Sequence, residues 1–498
     1  MRRLSGPTDH VVVVGAGLAG LATALHLLGA GRRVTVVERE ALPGGRAGRW
    51  VRSGYHLDTG PTVLTMPDLM EEPLAAVGEK LGDRLDLMPL HPAYLARFAD
   101  GDHLAVHTDP EAMEQEVTRF AGAREAAGYR RLRGWLERLH AVQMRRFIDS
   151  NFDSPLSLLN RDLARLAALG GLGRLDGRVR RFLTDERLRR VFTFQSLYAG
   201  VPPDRALAAY AVIAYMDTVA GVWFPRGGVH ALPRALADAA ADAGARLRYG
   251  EAVIGLERSG ARITAVLTDR DRVRCDAVVL TPDLPVAYRL LGRTPRRPVP
   301  QRYAPSAVVL HLGIDRACPE LGQLAHHTLS FGRAWERTFQ QLTAEGRPMT
   351  DPSLLITRPT ASDPGLAPAG RELLSVLAPC PNTAIGPGPI EWRELGPRYR
   401  NGLLAVLERR GLTGLAAGVE EECLVTPAYW SAQGHPAGTP FSLAHTLAQT
   451  GPFRPRNLVR GTGNAVLAGC GTTPGVGVPM ALLSGKLAAA RVTGGAER

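Results

Sequence analysis

Val11-Val12-Val13-Val14 runs directly into Gly15-Ala16-Gly17-Leu18-Ala19-Gly20, and this junction constrains the fold more than any other feature of the chain. A short, wholly apolar run suits a strand buried on both faces. Leucines at 18, 21, 25 and 28 then predict a helix with one face against a sheet. A second run, Val34-Thr35-Val36-Val37, ends in Glu38. Strand, glycine turn, helix, strand and acid in that order make a βαβ unit that can hold a dinucleotide. Gly15 permits the tight turn, Gly17 lets backbone N–H groups approach a pyrophosphate, and Gly20 lets helix and strand pack closely. The helix start adds unpaired donors and partial positive charge. Glu38, about twenty residues beyond the first glycine, is placed to accept hydrogen bonds from a ribose diol.

The segment 11–31 has no charged side chain and follows Arg2-Arg3, a pattern shared with secretion signals and membrane spans. The glycine fingerprint and the one-sided leucine spacing assign it to a buried strand and helix instead. No other stretch is long enough to cross a bilayer, so the chain is expected to be soluble or peripheral.

With 498 residues the chain exceeds one small core and is expected to form two domains or subdomains. A hydrophobic content of 45% against 22% charged excludes wholesale disorder. The net charge of +12 is carried almost entirely by arginine, and suits biased genomic composition, a nucleic-acid partner or an anionic membrane surface. No nucleic-acid module and no interleaving of basic and aromatic residues on a sheet is visible, so no nucleic-acid partner is expected. Much of the excess lies between Arg130 and Arg190, in sequence such as Tyr129-Arg130-Arg131-Leu132-Arg133-Gly134-Trp135-Leu136. Arginine opposite leucine and tryptophan fits either a solvated helix face or an interfacial helix. The five cysteines are scattered without CxxC spacing, which points to a reducing compartment and away from zinc or disulfides. His326-His327 would place its rings on opposite faces of a strand, so a structural role is expected and no metal.

Further along, 96–222 reads as mainly helical, and Trp223-Phe224-Pro225-Arg226-Gly227-Gly228 turns into an alanine-rich helix over 229–243. Short strands are expected around 245–249, 252–257, 263–268 and 277–280. Strands and helices mix over 291–455. The C-terminus then returns to strand, glycine turn and helix: Ala465-Val466-Leu467-Ala468-Gly469, the loop Cys470 to Pro479, and a helix over 480–492. A second glycine turn opening a helix so far from the first implies one ligand gripped from both ends of the chain. The expected architecture is mixed α/β (α+β). A discontinuous Rossmann-like nucleotide domain takes 1–95, 223–290 and 456–498. A helical, membrane-facing substrate region takes 96–222, and an inserted substrate-binding domain of sheet plus helices takes 291–455.

Gly44-Gly45-Arg46, Asp58-Thr59-Gly60-Pro61-Thr62, Phe224-Pro225-Arg226-Gly227-Gly228 and Gly469-Cys470-Gly471-Thr472-Thr473-Pro474-Gly475-Val476-Gly477-Val478-Pro479 occur in that order. Together they resemble the bacterial phytoene desaturases, carotenoid-forming flavoproteins of the amine-oxidase-like superfamily, and most of all those of actinomycete type. Phe192-Thr193-Phe194-Gln195-Ser196-Leu197, Gln323-Leu324-Ala325-His326-His327-Thr328 and Val376-Leu377-Ala378-Pro379 extend the match over essentially the whole chain. The resemblance implies FAD. By it Gly15, Gly17 and Gly20 line the pyrophosphate, Glu38 holds the adenosine ribose, and Gly45 and Arg46 border the flavin and phosphates. Val253 would meet the adenine through its backbone. Gly471, Thr472, Gly477, Val478, Pro479 and Met480 would contact the pyrophosphate, ribityl chain and isoalloxazine. Leu18, Ala19, Arg39, Pro61 and Thr62 belong to the same implied cofactor site. Asp58 is read as a turn residue, while Arg226 either pairs with a buried carboxylate or faces the flavin.

Phytoene, the substrate the resemblance implies, is a C40 hydrocarbon without a polar handle, so an apolar tunnel must bind it. Burial contributes on the order of 0.8 kcal/mol per CH2-sized unit. Dehydrogenation toward neurosporene or lycopene would pass a hydride to the flavin and release a proton, with a quinone or oxygen taking the electrons. A substrate dissolved in lipid further implies monotopic docking at the inner face of the cell membrane, with the arginine-rich 130–190 region as the candidate surface. No catalytic residue is assigned, since Asp149, Arg161 and Asp162 read better as helix-surface pairs. Within the family the alternatives are a desaturase, isomerase or ketolase acting on a later or C30 carotenoid. Outside it they are a non-catalytic isoprenoid carrier with the fold of the Rab GDP-dissociation inhibitors, and a soluble amine oxidase. The aromatic pair expected of the oxidase is missing from 461–479.

Overall fold

The computed structural model describes residues 2–293, 300–315, 318–388 and 390–494. Its organising element is a five-stranded, all-parallel sheet in the order Ala465–Leu467, Ala277–Leu280, His10–Val14, Arg33–Val37, Arg246–Arg248. Val11 stands opposite Ala277 on one side and Val34 on the other. The period-2 alternation of a strand divides the valines between two cores. Val11 and Val13 pack with Leu21 and Leu25 of the helix Leu18–Gly29. Val12 and Val14 pack with Ile263 and Val266 of a three-stranded antiparallel sheet, Val253–Ser259, Arg262–Thr268 and Arg272–Arg274, on the other face. The final helix, Val478–Thr493, lies along Leu18–Gly29.

A seven-stranded sheet forms the second body, in the order Val419–Val425, Ser306–Ile314, Glu372–Cys380, Leu354–Thr357, His327–Ser330, Tyr94–Arg97, His103–Val106. Only the pairing of His327–Ser330 with Tyr94–Arg97 is parallel. The hairpin Tyr94–Arg97/His103–Val106 therefore straddles the expected boundary between 95 and 96 and places a strand inside the stretch read as helical. Four residues with only Leu104 and Val106 buried leave too short an alternation to stand out beside long helices.

The helix Ala123–Gln143 shows how the arginine-rich sequence is arranged. Tyr129, Leu132, Trp135, Leu136 and Leu139 are buried, and the Trp135 indole donates to the Leu169 carbonyl at 2.8 Å. The leucine–tryptophan face is therefore core, and Arg130 and Arg131 sit on the solvated side. Among the described residues no helix is long and apolar enough to cross a membrane.

Candidate cofactor site

Because the central sheet is parallel, the glycine turns after His10–Val14 and after Ala465–Leu467 emerge at the same edge, the C-terminal ends of the strands. Chain order reverses between His10–Val14 and its neighbour Ala277–Leu280, which opens a crevice there. Gly15 has φ +103°, and Thr281 fills the space where a side chain would go, its hydroxyl donating to the Val14 carbonyl at 2.8 Å. A methyl group on Gly20 would stand 2.0 Å from the Gly15 carbonyl oxygen, so only glycine allows this turn. Leu18 and Ala19 are buried in the first turn of the helix, whose N–H groups have no partner within it.

Glu38 is buried at the tip of Arg33–Val37 and accepts from Ala16 N at 2.7 Å and Glu40 N at 3.0 Å. Each oxygen keeps a lone pair for a further donor. Glu251 N donates to the Glu38 carbonyl at 2.9 Å, which sets Val253 at the head of its strand close to this carboxylate. Arg39 points outward, bonding the Gln433 carbonyl and Glu40.

Gly44 N donates to the Ala16 carbonyl at 2.9 Å, folding Gly44-Gly45-Arg46 back onto the first glycine turn. Arg46 donates to Asp283 at 2.7 Å, and His435 Nδ1 lies 2.9 Å from the same carboxylate oxygen. Burial alone would raise the Asp283 carboxyl, but Arg46 and His435 pull it down to about 2. Arg46 Nε is buried and has no hydrogen-bond partner among the described residues.

At the other chain end, Gly477 (φ +118°) precedes the helix Val478–Thr493. Gly471 sits against Leu284, where a methyl would come within 2.7 Å. Thr472 is fully buried, its hydroxyl bonding the Gly469 carbonyl and Ser484 at 3.1 Å each. Arg454, 1% exposed, donates to the carbonyls of Thr472 (2.9 Å) and Cys470 (2.6 Å) and so shapes this loop from beneath. Val478 and Pro479 are buried in the first helical turn, and Met480 packs with Met66, Val212 and Met216.

Asp58 accepts from Val229 N at 2.6 Å and His230 N at 2.9 Å. It is a turn residue in a fuller sense than expected, because it docks the Phe-Pro-Arg-Gly-Gly turn onto the strand Tyr55–Asp58. Burial pushes its carboxyl up to about 6. Pro61 and Thr62 follow, and the Thr62 carbonyl accepts from His326 at 3.4 Å. Arg226 does neither thing expected of it: it pairs with Asp86 at 2.7 Å, both side chains about 60% exposed. Gly227 and Gly228, both at positive φ, carry the chain onward from Arg226 and leave its long side chain outside. Asp149 pairs with Lys486 at 2.6 Å and Asp162 with Arg165 at 3.0 Å, the surface pairing expected, whereas Arg161 is exposed and forms no ion pair among the described residues.

The site residues fit FAD. Two helix starts and a half-satisfied arginine face one crevice, which suits a di-anionic pyrophosphate, and Glu38 has acceptor capacity left for a ribose. Gly17 has only backbone 3.9 Å away, leaving its surface open to a ligand. Residues 283, 435 and 454 escaped the sequence reading. Only Asp283 carried a signal, as the first acid beyond a buried apolar strand.

Asp217, in the π-turn Met216–Ala220, was also missed. No hydrogen bond or ion pair reaches it among the described residues, and burial pushes its carboxyl up to about 7. It lies close enough to Tyr94 and Tyr198 to act on their hydroxyls. Tyr94 in turn meets Phe194 edge-on at 5.7 Å, and Phe194 meets Phe331 at 6.3 Å. These rings are buried together in the main hydrophobic core.

A parallel sheet with two glycine-opened helices at one edge defines a dinucleotide-binding oxidoreductase scaffold. The family model described as flavin containing amine oxidoreductase matches residues 18–493. The phytoene dehydrogenase of Streptomyces griseus is 73% identical over 99% of this chain and 97% of its own length. The zeta-carotene-forming phytoene desaturase of Myxococcus xanthus is 35% identical over 97% and 93%. An oxidoreductase of solved structure from Methanosarcina mazei shares the fold, with a TM-score of 0.62 at 15% identity over 96% of this chain and 99% of that one. The chain belongs to the flavin containing amine oxidoreductases and, within them, to the phytoene desaturase family. It is an FAD-dependent oxidoreductase.

Proposed function

We propose that this protein dehydrogenates phytoene in successive steps toward neurosporene or lycopene, docked on the inner face of the cell membrane, with a quinone or oxygen as final electron acceptor. The observation that carries the reading is the 73% identity to a phytoene dehydrogenase along the whole chain, glycine turns at both ends included. Bound FAD supplies the acceptor for the hydrogen removed from the substrate. The protein's part is to bind, orient and keep dry. Residues 15–20 and 477–480 would hold the pyrophosphate and the final-helix side of the cofactor, Glu38 the ribose, and Arg46 the phosphates. The buried rings of Tyr94, Phe194 and Phe331 make a dry apolar core, beside which a hydrocarbon would gain dispersion contacts without polar competition. Membrane docking is supported by the substrate's insolubility, since a hydrocarbon of this size reaches an enzyme from lipid.

The test is purified, FAD-loaded protein with phytoene in anionic liposomes, followed by chromatography with absorption spectra. Coloured products ending at neurosporene or lycopene support the reading, and the last peak fixes the number of steps. A yellow protein that leaves phytoene untouched moves the substrate to a later or C30 carotenoid. A colourless protein that takes up no FAD points to the carrier. Repeating the incubation without air, with and without a quinone, separates the two electron acceptors.

A further inference from the structure

Five of the nine most exposed large apolar side chains among the described residues gather in one region: Leu156, Leu159, Leu172, Leu447 and Phe453. Leu156 and Leu159 are 72% and 74% exposed, and Leu447 is 63% exposed. They come from separate parts of the chain. The short turn Pro155–Leu158 packs against Gly451–Phe453, which in turn packs against Leu447–Gln449. Leu172 joins Leu447 at the rim of a cavity of about 230 Å3. A monomer that scatters single leucines over its surface does not concentrate them in this way.

The cations of the same face are weakly paired among the described residues. Arg174 lines the cavity, and among the described residues its side chain bonds only the Arg205 carbonyl, at 2.5 Å. Arg205 has one carboxylate, Asp204, at 3.9 Å. Arg161, beside Leu159, and Arg302, whose backbone is tied to Gln449, are exposed and form no ion pair among the described residues. Leucines ringed by weakly paired, exposed arginines match an anionic bilayer, with apolar groups entering the acyl boundary and guanidinium groups meeting the phosphates.

The cavity leads inward. His445 lines it, is buried, and lies so close to the C-terminal glycine loop that a methyl on Gly475 would stand 2.2 Å from its ring. Its Nδ1 is 3.2 Å from the Tyr210 hydroxyl, while Nε2 has no partner.

We propose that Leu156, Leu159, Leu172, Leu447 and Phe453, with Arg161, Arg174 and Arg205, form the face that docks on an anionic lipid bilayer, with the cavity at His445 opening into it. The proposal rests on the membrane reading above and names the surface that performs it, narrowing the arginine-rich region 130–190 to its turns around 155–174 and adding 447–453 from a distant part of the chain.

Flotation of the FAD-loaded protein with phosphatidylcholine vesicles containing phosphatidylglycerol tests it. The triple variant Leu156→Asp/Leu159→Asp/Leu447→Asp should lose at least ~10-fold in vesicle binding while its flavin spectrum and melting temperature stay those of the parent. Arg161→Gln/Arg174→Gln should weaken binding about 25-fold on anionic vesicles and hardly at all on neutral ones, at roughly 5-fold per charge. This pair also serves if the triple variant fails to fold. Val51→Asp, at an exposed site elsewhere, should bind like the parent. A parent that binds vesicles together with a triple variant that binds equally well overturns the face but leaves the membrane reading standing. A parent that binds no vesicles overturns both. A parent that dimerises in solution through these leucines overturns the lipid assignment in favour of a second copy of the chain.

Discussion

Gly485 of the last helix lies directly against Ala19 of the first: a methyl group on Gly485 would stand 2.5 Å from the Ala19 carbonyl oxygen and 2.9 Å from Ala22 Cβ. This contact brings the two helix starts to one crevice, because the helices can lie side by side only while backbone meets backbone. Thr23 reinforces the seam, its hydroxyl reaching the carbonyls of Ala19 at 2.7 Å and Gly485 at 3.3 Å.

Gly485→Leu should therefore push the two helices apart. The expected cost is about 3 kcal/mol, with a lower melting temperature and a smaller flavin content per protein. Ala489, one turn on and also buried, is the comparison site, where a change to Gly should cost only about 1 kcal/mol.

Removing the Glu38 carboxylate strands two backbone donors, Ala16 N and Glu40 N. Glu38→Ala should cost the cofactor-free protein about 1–3 kcal/mol in urea unfolding, and should raise the FAD dissociation constant by at least ~10-fold in a fluorescence titration. A variant that unfolds as the parent does and binds FAD equally well would remove Glu38 from the site.

Asp283 gives a pH signature. Its carboxyl is held at about 2, below the ordinary value of 3.8, by Arg46 and His435 against the opposing effect of burial. A depressed folded-state value contributes stability that is present above pH ~4 and is lost as pH falls toward 2, on the order of 2 kcal/mol in full. Asp283→Asn should thus be less stable than the parent at pH 7, and the gap should close below pH 4 in urea melts.

Asp217 should behave in the opposite sense. Burial raises its carboxyl to about 7, so the folded state keeps a proton that the unfolded chain has lost above 3.8. The group favours folding at low pH and costs stability increasingly as pH rises from about 4 to 7. Its side chain keeps some accessible surface, which screens the cost to roughly 1–3 kcal/mol. Asp217→Asn should be more stable than the parent at pH 8 and indistinguishable from it at pH 4.

The parts of the site that could be read from the sequence are those in which the chain signals its own geometry within a few residues. Val11 to Glu38 is such a stretch: valines for a strand buried on both faces, glycines for the turn, leucines at helical spacing, an acid at the end of the next strand. The loop from Gly469 to Pro479 is another. Arg226 was misjudged because the turn beside it is just as local, yet whether its side chain looks inward depends on Asp86, 140 residues away. The strand His103–Val106 was hidden for a similar reason. Its short alternation acquires meaning only beside Tyr94–Arg97.

The sequence by itself determined the cofactor class, the two places where the chain turns to grip it, and the family, since each depends on local backbone conformation or on residues matched in order. Only the tertiary structure decided that Arg46, Asp283 and His435 share one carboxylate oxygen, with 237 residues between the first two and 152 between the last two. It alone buried the Trp135 face of an arginine-rich helix, left Asp217 without a partner among the described residues, and gathered leucines from 156 to 447 on one surface. The reason is physical. Backbone propensity acts over a few residues, whereas charge pairing, desolvation and exposure depend on which distant segments the packed core brings together.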